Sequence, residues 1–288
     1  MNVTDWLIAF IPALSFGLVP VVGTFIGGKP VQQTMGISIG AFVFALIVVL
    51  IRKPELNTHI FLISFISGIL WAIGSIGQFK GITYLGVARA TPIMNGGQII
   101  GTSLVGIALG DWASSQAKIY GFLALILIII GIIFTSYQEK SGEENIQWKK
   151  GILINLIGVL GFTFYVGIIK YFKIDGWSSI LPQSIGQIVA TFLFGWLIFK
   201  TKTLTKVSLK NGIVGIIWAC GNLALLISQS KLGLATAYPI GQAAVIVSVF
   251  GGVYINKEQK TTKEWKYSLS GIIIICLGLF MIYQAGNN

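Results

Sequence analysis

Apolar residues fill this chain in runs of about twenty, each closed by a short charged or turn-forming cluster. Ten such runs can be marked off, at 5–25, 34–51, 59–79, 86–109, 118–137, 151–170, 179–199, 212–230, 234–255 and 267–284. About twenty residues of helix cross a hydrocarbon layer of roughly 30 Å. The runs are continuous rather than alternating at every second residue, so they predict membrane helices and not barrel strands. The third and fourth are expected to meet in a short turn near Lys80 to Leu85.

Composition agrees with that pattern. Hydrophobic residues make up 55% of the 288 and charged ones only 10%, with a mean hydropathy of +0.84. A soluble domain carries roughly 25% charged residues, so lipid must cover most of this surface, and a multi-pass protein of the cell membrane is expected. The net charge of +11 would suit nucleic acid, but the basic residues stand in clusters between the apolar runs, as at Lys149–Lys150 and 200–210. Membrane topology is written in that way, and a nucleic-acid role is excluded on it. Cys220 and Cys276 fall inside apolar runs and read as small packing groups, neither a disulfide framework nor a metal site. The stretch from Trp6 to Phe25 lacks a basic leader and contains Pro12 and Pro20, so it reads as a first membrane helix rather than a cleaved signal.

Charge placement also orients the chain. Loops after odd-numbered runs hold 14 Lys and Arg residues and loops after even-numbered runs hold 6. The excess places odd loops in the cytoplasm and both termini outside.

The polar segment 139–150 divides the chain into residues 1–138 and 151–288, and the two parts repeat. At an offset of 147, Gly68, Trp71, Ala72 and Gly74 recur as Gly215, Trp218, Ala219 and Gly221, and Pro92 recurs as Pro239. Twelve of the 32 positions from 68 to 99 are identical without a gap, which chance likeness between two Gly-rich helices does not explain. A weaker echo aligns 36–44 with 186–194. Five helices per half is an odd number, so the second half must enter the membrane from the opposite face. The expected fold class is therefore all-α, ten transmembrane helices in a five-plus-five inverted-topology repeat, with a substrate site near the midplane between the halves.

Candidate site residues are the polar groups inside the repeated helices. Trp71 and Gln78 share a helix face, as do Trp218 and Asn222; Asn95 and Gln98 follow Pro92, and Gln242 stands where Asn95 does in the first half. An amide offers a donor and an acceptor in one group, and an indole stacks on an apolar ring face while its N–H donates. The set suits a neutral polyol. The alternative use of such amides is to tie helices together, at roughly 1 kcal/mol each. Pro92 and Pro239 each release a carbonyl one turn upstream and are candidate hinges. Carboxylates are missing from mid-helix positions, which leaves Asp5, His59 and Asp111 as the candidates for proton coupling. Lys170 and Lys231, near helix ends, are expected to snorkel. No nucleophile–base pair or metal-ligand set appears, so an enzyme is not expected, nor is a cofactor.

The stretches GILWAIG and QFK within 68–80, the pattern from Gly86 to Gly106 with its Thr91–Pro92 and Gln98–Ile99–Ile100–Gly101, and the Gly110–Asp111–Trp112 end resemble the bacterial glucose/ribose uptake permeases, a branch of the drug/metabolite transporter superfamily. GGKP at 27–30 and LPQ at 181–183 extend the resemblance to nearly the whole chain. It implies secondary active import of a monosaccharide, glucose or ribose, by alternating access with proton symport. The residues themselves would serve facilitated uptake equally. An amino-acid or drug exporter of the same superfamily is the alternative, although a cation exporter would be expected to hold a membrane-embedded acid.

Overall fold

The apolar runs are helices in the computed structural model, which describes residues 3–85, 87–139, 147–255, 257 and 259–287. In chain order they are α1 (Val3–Ile26), α2 (Pro30–Arg52), α3 (Thr58–Leu85), α4 (Val87–Ala108), α5 (Ser115–Thr135), α6 (Trp148–Tyr171), α7 (Gly176–Leu197), a short α8 (Lys206–Lys210), α9 (Gly212–Leu232), α10 (Leu234–Gly241), α11 (Ala244–Tyr254) and α12 (Thr262–Asn287). Among the described residues there is no strand. Nine stretches among the described residues, with α10 and α11 counted as one, are long and apolar enough to cross a membrane. The exception among the long helices is α4: its 22 residues suffice, but Arg89, Asn95, Gln98, Thr102 and Ser103 lower its hydropathy. The protein is a multi-pass α-helical membrane protein. The central residues 140–146 lie outside the described residues.

Polarity runs opposite to that of a soluble fold. Phe25, Leu50, Ile51, Leu153 and Phe192 are exposed on the outer face, whereas Ser67, Gln98, Gln183, Gln187, Asn222 and Gln229 are buried. Lipid tails satisfy the first group, and the interior is left to small and polar side chains that let helices approach closely. Cys220 and Cys276 belong to the exposed surface, so they are not the buried packing groups the sequence suggests.

Two crossings fix the centre. Where α3 meets α7, a Cβ on Gly68 would strike the Gln183 carbonyl and one on Gly186 the Phe65 carbonyl. Where α9 meets α2, a Cβ on Gly215 would strike the Ile37 carbonyl and one on Gly40 the Gly212 carbonyl. Only glycine permits backbones at that separation. By these contacts Gly40 occupies the environment that Gly186 has, and not Gly36 as the echo at 36–44 suggests. The difference is one helical turn, which keeps the same face inward but shifts the register of the echo by four residues.

The helices α3 and α7 run in the same direction. At one end Arg52 lies 4.5 Å over Trp177 and His59 packs edge-on to Phe172 at 5.5 Å. At the other, Lys80 lies 4.9 Å over Phe199. That contact belongs to a helix that continues through Leu85, so the expected turn at Lys80–Leu85 is instead helix. The start of α7 is set by Asp175, whose carboxylate accepts from the backbone N–H groups of Trp177 and Ser178.

The repeated prolines behave differently. Around Pro92 α4 is continuous, whereas after Pro239 the helix stops at Gly241 and restarts at Ala244. Across the gap the bonds are short-range, from Ala243 N–H to the Ile240 carbonyl (3.0 Å) and from Ile246 N–H to the Ala243 carbonyl (2.9 Å). These close one residue earlier than α-helical bonds and tighten the turn.

Candidate functional site

Trp71 of α3 and Trp218 of α9 meet in the core. Their ring centroids are 4.7 Å apart with planes tilted at 54°, and Trp71 also stands edge-on to Phe162 of α6 at 6.4 Å. Both indoles are nearly sequestered, at 3% and 7% exposure. Glycine sets the arrangement here too: Gly74, one turn after Trp71, packs directly on the Phe162 ring.

A layer of amides lies on the His59 side of the indoles. Asn222, one turn from Trp218, donates through Nδ2 to Gln183 Oε1 at 2.6 Å. Gln183 Nε2 donates to Ser67 Oγ at 2.8 Å, and Ser67 donates to the Tyr165 carbonyl at 2.6 Å. On the opposite side, Ser75 shares a 3.0 Å hydrogen bond with Thr34. Thr34 in turn forms the floor of a cavity of about 120 Å³ bounded by Lys29, Phe79, Lys80, Thr83 and Thr201. Amide layer, indole pair, hydroxyl pair and cavity thus follow one another along α3.

Several buried polar atoms in this stack have no protein partner: Trp71 Nε1, Asn222 Oδ1, and both Oε1 and Nε2 of Gln187. Buried polar groups in folded proteins are paired with few exceptions, so these open atoms make the stack the candidate site.

The remaining site candidates separate into groups. Trp71, Trp218 and Asn222 converge. Gln98 lies in a second polar contact, where its Oε1 accepts the Tyr238 hydroxyl at 2.5 Å. Gln242 closes α10 one turn beyond Tyr238 and beside it. Asn95 and Gln78 are partly buried, and neither enters the amide layer. Ser67, Gln187 and Tyr238 are not among the sequence candidates, and Gln183 figures there only within LPQ at 181–183, not as a site residue. Gln183 and Gln187 at i and i+4 in an otherwise apolar helix were the signal that could have found two of them.

Of the proton-coupling candidates, His59 is exposed and Asp5 lies partly buried in the first turn of α1. Asp111 is engaged on both oxygens: Oδ1 receives Lys170 Nζ at 2.6 Å and Oδ2 receives the Ala235 N–H at 2.9 Å. Lys170 is therefore ion-paired and does not snorkel. The adjacent Trp112 donates from Nε1 to Thr236 Oγ1 at 3.0 Å. Together the two residues clamp the start of α10, where an acid complements the helix N-terminus.

Comparison with known proteins bears on what this stack serves. The family model described as sugar transport protein matches residues 7–284. The chain belongs to the sugar transport protein family. The glucose uptake protein GlcU of Bacillus subtilis is 37% identical over 285 residues, 98% of this chain and 96% of its own length. A Listeria monocytogenes relative, whose name provisionally describes sugar uptake, is 42% identical over 278 residues, 96% of this chain and 97% of its own. A solved crystal structure superposes with a TM-score of 0.67 at 12% identity, covering 96% of this chain and 99% of that one, and shows likeness of fold alone. As a member of the sugar transport protein family the chain is a transporter and not an enzyme.

Proposed function

We propose that this protein imports a monosaccharide, glucose or ribose, across the cell membrane by alternating access. The observation that carries the proposal is the buried indole pair beside unpartnered amide and indole atoms, at the meeting of helices from the two parts of the chain. A sugar supplies what those groups lack: an apolar ring face for Trp71 and Trp218, and hydroxyls that both donate and accept. The names of the relatives point to the same cargo.

The architecture proposed for this is ten spans in two inverted sets of five, residues 1–138 and 151–288, with α4 as the span whose polarity hides it from a hydropathy criterion. The paired glycine crossings support it: Phe65 and Gly68 on α3 stand 147 residues before Gly212 and Gly215 on α9, and each pair meets its partner helix in the same way. Inverted halves can exchange conformations, which is the basis of alternating access. In the orientation proposed from charge, with both termini outside, the cavity at Thr34 faces the cytoplasm and the Asp111–Lys170 clamp faces out. Among the described residues no acid lies at the indole pair, which speaks against a cation exporter.

Uptake of labelled glucose and ribose into proteoliposomes, with and without an imposed pH gradient, tests the proposal. Saturable uptake of one of them is expected. Stimulation by a gradient acid on the outside would support symport, while equal rates would assign facilitated uptake. Movement of neither sugar, with transport of another solute, would overturn the reading.

A further inference from the structure

Gln183 and Gln187 share the inward face of α7, one turn apart, yet their surroundings differ. Gln183 is engaged at both ends: its Oε1 accepts from Asn222 and its Nε2 donates to Ser67. Gln187 is 0% exposed and neither of its side-chain polar atoms has a partner. An amide kept to tie helices together looks like Gln183. One held buried with both ends open requires something else to meet it, because desolvating a polar group without replacing its hydrogen bonds is unfavourable.

The position of Gln187 says what meets it. Its backbone is pinned against α3, since a Cβ on Gly68 would come within 2.9 Å of the Gln187 nitrogen. Trp71 follows Gly68 by one turn, and Ala190, one turn after Gln187, packs in the same cluster as Trp71 and Trp218. Gln187 therefore stands on the α3–α7 crossing between Gly68 and the cluster that holds the indole pair, and Trp71 Nε1 and Asn222 Oδ1 of that core are unpartnered as well. Ser64 Oγ on α3 and Thr191 Oγ1 on α7, one turn before Gly68 and one turn after Gln187, are also buried and unpartnered.

We infer that Gln187 determines specificity by binding two adjacent hydroxyls of the cargo at once. A primary amide holds its acceptor and its donor side by side. One hydroxyl can donate to Oε1 while the neighbouring hydroxyl accepts from Nε2, a pairing that a vicinal diol on a sugar ring matches and an isolated alcohol does not. The match is independent of which way the amide is turned, because both ends are open. The inference rests on the proposal that the cargo is a monosaccharide.

The test uses the full chain in proteoliposomes, with labelled glucose as cargo and the singly deoxygenated glucoses as competitors. In the unmutated protein, removal of either of two adjacent hydroxyls is expected to weaken competition about tenfold or more, the cost of stranding a buried partner. In Gln187→Leu the KM for glucose is expected to rise by a similar factor with little change in maximal rate. Those same two deoxy sugars should then compete as well as glucose does, because the interaction they lack is already gone. Gln187→Met, unbranched and of similar length, provides a second variant should Leu impair folding. No adjacent pair of sensitive hydroxyls in the unmutated protein would overturn the inference without recourse to any variant. Unchanged KM and unchanged competition in a folded variant would also overturn it, while leaving sugar uptake standing. Absence of sugar transport by the unmutated protein would instead remove the proposed function and this inference with it.

Discussion

Asp111 shows how a residue's chemistry depends on what the fold brings to it. Read alone, an acid at the edge of a membrane helix is a candidate proton carrier. In the structure its two oxygens are taken by Lys170 and by the Ala235 backbone, with the side chain only 10% exposed. Removing one partner of a buried pair leaves the other charge uncompensated, at about 3–5 kcal/mol, whereas removing both is far less damaging. Asp111→Asn is thus expected to lower the unfolding temperature in detergent markedly. Asp111→Asn combined with Lys170→Met should recover a good part of the loss. A double variant no more stable than the single one would show that the pair contributes little. The tryptophans were legible at this scale because the repeat marks them, and Asn222 because it shares a helix face with Trp218. Gln187 was not, because what distinguishes it from Gln183 is the absence of a neighbour, and no feature of the sequence expresses that.

Among the elements, the two proline-bearing helices began alike on paper and diverged in three dimensions. Pro92 and Pro239 each remove one backbone donor. Beyond that, the second half has Gly241 where the first has Met94, and glycine costs a helix about 1 kcal/mol relative to a good helix former. The start of α10 is also held by Asp111 and Trp112, so the helix breaks after Pro239 at Gln242–Ala243 rather than bending along its length. If that break is a working hinge, Pro239→Ala should slow maximal uptake severalfold with little change in KM, and Pro92→Ala should do less. Equal effects of the two, read from initial rates, would mean the break is static. The extension of α3 past Lys80 is a similar case. A lysine in sequence reads as the end of an apolar run, but the helix runs on through Leu85 with Lys80 lying over the Phe199 ring.

On the scale of the whole molecule, the two ends of the site differ. One is closed by the ion pair and by Trp112 on Thr236, and the other holds the cavity at Thr34 and Lys80. In the orientation proposed from charge, with odd loops inside, the clamped end is the exterior one and the cavity lies toward the cytoplasm. Orientation can be read directly. Cysteine placed singly at Lys149 and at Lys173, both exposed, should give opposite results with an impermeant thiol reagent on intact cells: labelling at 173 and none at 149. The native Cys220 and Cys276 are surface-exposed and must first be replaced. Labelling at 149 alone would invert the topology.

Membrane embedding, helical character and most helix limits were already set by the primary structure. Burying a backbone in lipid leaves no alternative to internal hydrogen bonding, so a run of apolar residues is enough to specify a helix. The doubled Gly, Trp and Pro pattern likewise pointed to α3 and α9 as partners. Which amide is paired and which is left open, which acid is ion-paired, and which proline breaks its helix all depended on contacts between residues 39 to 124 positions apart. Those contacts arise where glycines let backbones touch, at Gly68 of α3 against α7 and Gly215 of α9 against α2, and a linear pattern records the glycine without recording what it touches.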